Sequence, residues 1–406
     1  MMSRADRTVL SEWWWTVDRA LLAGLFALMV IGIILCLAAS PAVAARIGIA
    51  DPFHFVNRQV LFLLPAVVVM LVTSFLSPRT IRRTCMVVFG LFFLMLLATL
   101  VIGPEVKGAR RWLTIAGITV QPSEFIKPAF VVLAAWLFSE STSRPEMPAR
   151  FLAFGLLGAV AFPLVLQPDF GQTILVSTVW LALFFVAGLR IIWMVGLAGL
   201  AMGGLTIAYF TVSHVQKRIG RFLNPDSGDT YQIDMALNSF RNGGWFGQGP
   251  GEGTVKRMLP DGHTDFVFSV AGEEFGIILC LIILALFAFI IMRALNRAVH
   301  EPDPFARFAI TGLSLLFGLQ ACINMAVNVH IAPAKGMTLP FISYGGSSLI
   351  SLAFGMGMLI AFSRKRPGAV ALAALSEPKR PAGEPLARPT SVTIPGSAGE
   401  GAPSPA

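Results

Sequence analysis

Apolar residues in this chain fall in long unbroken runs separated by short polar stretches. The runs cover 21–40, 59–77, 84–103, 124–139, 151–166, 171–189, 192–212, 266–292, 308–330 and 344–363. A helix needs about 20 mostly apolar residues to cross a hydrocarbon core, and a helix apolar all round has no face for water. The pattern predicts an all-α membrane protein with ten transmembrane helices, of which 124–139 and 151–166 are the shortest. Ala42-Val43-Ala44 resembles a signal-peptidase site. However, the run before it exceeds the roughly 7–15 apolar residues of a signal peptide and more runs follow, so an uncleaved first helix is expected.

The polar stretches set the orientation. Arg79, Arg82, Arg83, Arg144, Arg150, Arg190, Arg293, Arg297 and Arg307 lie in 78–83, 140–150, 190–191 and 293–307, and the last run ends on Arg364-Lys365-Arg366. Short basic loops on alternate sides mark the cytoplasmic face. Both termini are then cytoplasmic, with one long periplasmic loop, 213–265, between the seventh and eighth spans. Three regions follow: a cytoplasmic segment 1–20, a membrane domain 21–366, and a cytoplasmic tail 367–406. The tail's eight prolines among Ala, Gly and Ser predict disorder.

Composition agrees. Hydrophobic residues make up 55% and charged ones 13%, against about 25% charged in soluble domains. The net charge of +9 would suggest nucleic acid in a soluble protein, but orientation accounts for it and no nucleic-acid partner is expected. Cys36, Cys85, Cys280 and Cys322 each sit inside an apolar run, as packing residues without metal-site spacing.

Candidate chemistry lies where the charge rule fails. Lys107, Arg110 and Arg111 fall in the predicted outer loop 104–123. Lys217, Arg218, Arg221, Arg241, Lys256 and Arg257 fall in 213–265. Such cations either are solvated or acid-paired, or hold an anion such as pyrophosphate. In the long loop Ile233, Leu237 and Phe240 have helical spacing, predicting a short helix on the membrane surface, followed by the glycine-rich run 243–251.

Ionisable groups inside spans are functional candidates because they are costly there. Glu124 and Lys127 share a helix face, and either neutralise each other or line a cavity. Asp169 stands where it would favour the start of the sixth span through the helix dipole. Glu273 and Glu274 are adjacent, so one of them is expected to pair within the bundle, and Asn324 and Asn328 suit interhelical hydrogen bonds. Asp261, His263 and Asp265 gather just before the eighth span. Either Thr264 or Asp265 there serves as a helix N-cap, or a carboxylate at this boundary acts as a general base on a sugar hydroxyl held at the membrane surface. The absence of G-x-S-x-G, P-loop, H-E-x-x-H and C-x-x-C patterns argues against hydrolase, ATPase and metalloprotease chemistry.

Several motifs together resemble the SEDS family (shape, elongation, division and sporulation). They are Lys107-Gly108-Ala109-Arg110-Arg111-Trp112-Leu113, Gln121-Pro122-Ser123-Glu124 with Lys127, Gln167-Pro168-Asp169 and Tyr231-Gln232. His263-Thr264-Asp265-Phe266, Gly272-Glu273-Glu274 and the run Pro340 to Ser348 complete the set. They keep family order across residues 13–365, and Asn324, Asn328 and Lys335 resemble the division branch more than the elongation branch. Gly249-Pro250-Gly251 departs from the usual Gly-Leu-Gly, and Pro250 removes an amide donor.

The resemblance implies a peptidoglycan glycosyltransferase of the bacterial inner membrane, at the division septum, that polymerises lipid II. It places Asp265 at the catalytic aspartate. Lys107, Arg110, Arg111, Glu124, Lys127, Asp169, Gln232, His263, Lys335, Ser343 and Tyr344 fall at substrate-binding positions. The implied partners are a class B penicillin-binding protein and other division membrane proteins. No dedicated metal ligand set is visible, though a divalent cation such as Mg2+ would suit the pyrophosphate. A lipid II flippase and a non-enzymatic scaffold are the competing classes, and no inverted hydrophobic repeat supports the former.

Overall fold

The polar residues between runs decide where each helix starts. Asp18 accepts from the amides of Ala20 and Leu21, Ser77 from Thr80, and Asp303 from Phe305. Pro78, Pro122 and Pro304 occupy first turns, where a missing N–H costs little. The computed structural model describes residues 8–364 except 107, 116, 145, 189–190, 212–215, 217–219, 221–230, 260 and 334–335.

Each of the ten apolar runs is a helix: α2 (Arg19–Arg46), α3 (His54–Ser74), α4 (Pro78–Ile102), α5 (Pro122–Ser143), α6 (Ala149–Leu166), α7 (Phe170–Val186), α8 (Ile191–Thr211), α10 (Val267–Val299), α11 (Pro304–Asn328) and α12 (Gly346–Ser363). Among the described residues 8 of these are long and apolar enough to cross a membrane, and α7 and α8 contain shorter apolar stretches. The all-helical membrane fold is therefore as expected.

Three elements lie outside the spans. A short helix α1 (Val9–Thr16) precedes α2, and the expected loop helix is α9 (Tyr231–Gly243). A small antiparallel hairpin, β1 (Leu113–Ile115) with β2 (Ile118–Val120), pairs Leu113 with Val120 between α4 and α5. The helix α9 buries Ile233, Ala236 and Ser239 and packs on α10, with Phe240 and Phe268 rings 5.7 Å apart. Its apolar face is covered by protein.

The helices divide into an inner and an outer set. The most apolar stretch of α12 is 83% buried and that of α4 only 17%. The centre is α5, α11 and α12, which carry Glu124, Lys127, Gln320, Asn324, Asn328 and Ser351, all buried. Polar side chains survive at membrane depth only when other helices supply their partners. Close packing there needs small residues: a Cβ on Gly357 of α12 would overlap the Met70 backbone of α3.

Candidate active site

The longest helix, α10, breaks its own backbone near one end. Gly276 has φ 77° and ψ −177°, a conformation that glycine alone adopts readily. The carbonyls of Glu273 and Glu274 accept instead from the amides of Gln248 (2.9 Å) and Gly249 (3.0 Å) in the glycine-rich loop, and Ile277 N–H donates to Gly244 O at 2.9 Å. The loop thus lies directly on the kink.

Both carboxylates bind the same loop. Glu273 accepts from the Val255 and Lys256 amides (2.7 and 2.8 Å) and from Asn242 Nδ2 (3.2 Å). Glu274 accepts from Gly251 N–H at 2.6 Å and pairs with the buried Lys256 ammonium. As expected, one of the two neighbours, Glu274, forms an ion pair, with Lys256. That both carboxylates meet one loop was not expected from a regular helix face, and it follows from the loop wrapping over α10 where the helix is broken.

The segment before α10 carries Asp265. The helix N-cap is Phe266, with no side-chain cap hydrogen bond, so the N-cap position falls on neither Thr264 nor Asp265, where the sequence had placed it. The polypeptide turns tightly instead: Asp261 has φ 55°, and its carbonyl accepts from Thr264 N–H (3.0 Å) and Phe266 N–H (3.2 Å).

This turn is held from two sides. The Asp265 carbonyl accepts from Asn324 Nδ2 and Asn328 Nδ2, each at 2.9 Å. Asn328 Oδ1 in turn accepts from Ser269 N–H (3.1 Å) and Ser269 Oγ (2.7 Å). On the other side Ser343 Oγ donates to Thr264 O (2.5 Å) and Tyr344 N–H to His263 O (2.9 Å). Gly336, at φ 61°, approaches so closely that a Cβ there would lie 3.5 Å from Asp265 Oδ2. The expected interhelical role of the two asparagines is met, and what they hold is the Asp265 backbone.

His263 sits among aromatics, its ring 4.3 Å from Phe55 and 5.4 Å from Tyr344 between centroids. Burial pushes its pKa down to about 4 although the nearby Asp261 charge pulls the other way, so the imidazole is neutral at pH 7. Burial raises the Tyr344 phenol, and the exposed Arg58, hydrogen-bonded to it, opposes that rise. Arg58 is a cation beside this site that the sequence reading passed over. It lies just before an apolar run, where a lone Arg reads as an interface residue.

A second polar cluster continues from the first. Gln320, Asn324 and Asn328 recur every four residues on one face of α11. Lys127 Nζ donates to Gln320 Oε1 (3.1 Å) and to Glu124 Oε1 (2.9 Å), and Gln172 Nε2 donates to that same oxygen at 2.9 Å. Gln320 Nε2 reaches Thr338 O at 3.2 Å, and Asn324 Nδ2 also donates to Met337 O at 2.6 Å. Among the described residues Glu124 Oε2 has no hydrogen-bond partner. Lys127, Gln320 and Ser351 border a cavity of about 20 Å³, room for about one water. Gln172, Gln320 and Ser351 escaped the sequence reading because a neutral polar residue in a span has no distinctive pattern.

Among the described residues Arg110 and Arg111 do not form one cluster. Arg111 turns inward, with Nε 3.6 Å from Asp169 Oδ2 and a 2.7 Å bond from its guanidinium to Pro168 O. Asp169 is the N-cap residue of α7, buried, and within electrostatic reach of Lys127 and Glu124. Arg110 stays exposed, 3.8 Å from Glu105. The two neighbouring arginines thus meet different carboxylates. Gln232 is half-buried on α9. Lys107 and Lys335 lie outside the described residues, as do Lys217, Arg218 and Arg221.

Known proteins resemble this chain in sequence and in fold. The FtsW/RodA/SpoVE family model, described as cell cycle protein, matches residues 19–367. The probable peptidoglycan glycosyltransferase FtsW of Caulobacter vibrioides is 48% identical over 367 residues, 90% of this chain and 94% of that protein. Its namesake in Trichlorobacter lovleyi is 36% identical over 354 residues, 85% and 93% of the two chains. Among solved structures, a chain from a peptidoglycan synthase complex that coordinates polymerization and crosslinking superposes with a TM-score of 0.71 at 27% identity, covering 86% of this chain and 98% of that one. The rod shape determining protein RodA of Thermus thermophilus gives 0.63 at 28% identity, covering 86% and 97%. The chain belongs to the FtsW/RodA/SpoVE family of cell cycle proteins, as the motifs of the sequence suggested.

Proposed function

We propose that this chain is a multi-pass inner-membrane peptidoglycan glycosyltransferase that polymerises lipid II into β-1,4 glycan during cell division. The observation carrying the reading is the clamped turn: Asn324 and Asn328 on the Asp265 carbonyl, and Ser343 on Thr264. A residue whose backbone is so held carries its carboxylate on a prepositioned turn, which is what a general base needs. The names of the relatives supply the substrate class.

In this reading Asp265 takes the proton from the acceptor sugar 4-hydroxyl as that oxygen attacks the donor anomeric carbon. The bond to undecaprenyl pyrophosphate breaks, and the α-linked donor becomes β-linked in one inverting displacement. One base and a stabilised leaving group suffice. Arg110 and Arg58 are the exposed cations for the pyrophosphate, while Arg111 is a positioning residue through Asp169. Glu124 and Lys127 shape the polar interior behind the turn. Gln232 and Lys335 remain substrate-contact proposals, as does Lys107. Among the described residues no three His, Cys, Asp or Glu side chains gather as a metal site, so Mg2+ enters only as a companion of the pyrophosphate.

The Asp265 end is then periplasmic and both termini cytoplasmic. The resemblance and the synthase-complex neighbour support a class B penicillin-binding protein as partner, with septal localisation and further division proteins. Purified protein with labelled lipid II tests the reading. Glycan product is expected with the partner present. Translocation in vesicles without polymer would assign a flippase, and neither outcome would assign a scaffold.

A further inference from the structure

A cleft of about 940 Å³ opens between the outer turns of α2 and the glycine-rich loop. It lies at the end of the bundle that carries Asp265 but shares no lining residue with the clamped turn or with the Glu124–Lys127 cluster. Its size falls within the range of small-ligand sites, about 300–1,000 Å³. The floor is apolar: Ile34, Leu37 and Pro41 of α2, and Phe275 beside the kink. Ile34 and Leu37 are each 43% exposed, so the trough opens along the flank of a membrane-spanning helix.

The charge at its mouth is one-sided. Arg46, on the last turn of α2, and Arg257 both border the cleft and both are exposed. Among the described residues neither guanidinium has an ion-pair or hydrogen-bond partner. The third cation of the lining, Lys256, is neutralised by Glu274 and donates its remaining bond to Ala38 O at 3.1 Å. Two unmatched guanidiniums therefore stand at the head of an apolar trough. Positive-inside orientation does not account for them, since the cationic excess it explains lies at the opposite ends of the spans.

We propose that this cleft is a binding site for an anionic, phosphate-headed membrane lipid, its phosphate between Arg46 and Arg257 and its chain along Ile34, Leu37, Pro41 and Phe275. Guanidinium is the cation best matched to phosphate, because its planar fork binds two oxygens at once. Glycerophospholipids and isoprenoid phosphates share this chemistry. The site is separate from the catalytic reading, so either can fail alone.

Native mass spectrometry of the full chain in detergent tests it, with phosphatidylglycerol, undecaprenyl phosphate and phosphatidylcholine added in turn. The wild type should retain at least one of the two anionic lipids in preference to phosphatidylcholine, and which one identifies the source. Arg46→Ala with Arg257→Ala should reduce that adduct about tenfold or more, as for loss of charge-assisted contacts. Ala42→Trp, which fills the trough and leaves both charges, should reduce it as well. Unchanged melting of both variants shows that folding is intact. Equal retention by the double variant, no preference over phosphatidylcholine, or no adduct in the wild type would each overturn the proposal. So would loss of a co-purifying protein from the double variant with lipid retained, which would assign the cleft to a protein partner.

Discussion

At the scale of the residue, Asp265 and its neighbours make opposed claims that substitution separates. Asp265→Asn keeps the size and the backbone clamp but has no usable basicity, so polymerisation should fall by about 10²–10⁴-fold with membrane insertion unchanged. His263→Ala is the control: near-wild-type polymerisation by Asp265→Asn, with none by His263→Ala, would move the base to His263. Titration of His263 has a further consequence. Its folded pKa, about 4, lies below the free value of 6.5, so the unfolded state binds more protons between those values. Stability therefore rises with pH across that window and is lost as the pH falls through it. Melting in detergent from about pH 7 down to about pH 5 should show this loss, and His263→Gln should flatten the profile. The buried Glu124–Lys127 pair can be examined similarly. Removing Lys127 alone leaves a buried carboxylate at a cost of about 3–5 kcal/mol, whereas neutralising both partners is often tolerated. If the pair is only structural, Glu124→Gln with Lys127→Met should melt and polymerise like wild type. A stable but inactive double variant would show that the charges serve the substrate.

At the scale of the element, the kink in α10 joins the loop to the reacting segment. A Cβ at Gly276 would overlap the Trp245 carbonyl, and one at Gly247 the Glu274 carbonyl. Gly276→Ala must therefore strain a φ of 77° or displace the loop, at a cost of order 1–3 kcal/mol. Limited proteolysis should then cut within 243–257, and the melting temperature should drop. An alanine variant as protease-resistant as wild type would mean that the loop is not held by the kink. The same geometry explains why adjacent glutamates share one loop. Regular helix periodicity, from which the sequence expectation was drawn, does not survive a backbone break.

At the scale of the whole molecule, orientation is the claim that basic loops make. In a background without native cysteines, a cysteine at Glu252 should react with an impermeant maleimide from outside. One at Thr142, in the last turn of α5, should react only after permeabilisation. The reverse pattern would invert the assignment and place Asp265 on the cytoplasmic side, away from lipid-linked sugar. At the other end of the bundle, Arg293 pairs with the α2 N-cap Asp18 at 2.7 Å, and Arg364 Nε donates to Thr16 Oγ1 of α1 at 2.9 Å.

Ten helices and their approximate limits were legible from apolar runs alone, because spanning a hydrocarbon core demands length and continuity that local composition displays directly. Motif order was equally legible, and with it the family. The runs carried no information about partners. Whether Arg111 faces solvent or Asp169, whether Asp265 caps a helix or is clamped beside one, and whether Lys127 reaches Gln320 each depend on which helices lie side by side. Those choices follow from packing between residues up to 193 positions apart. Pairwise polar contacts at that separation leave no periodic trace in a chain whose main pattern is set by the membrane.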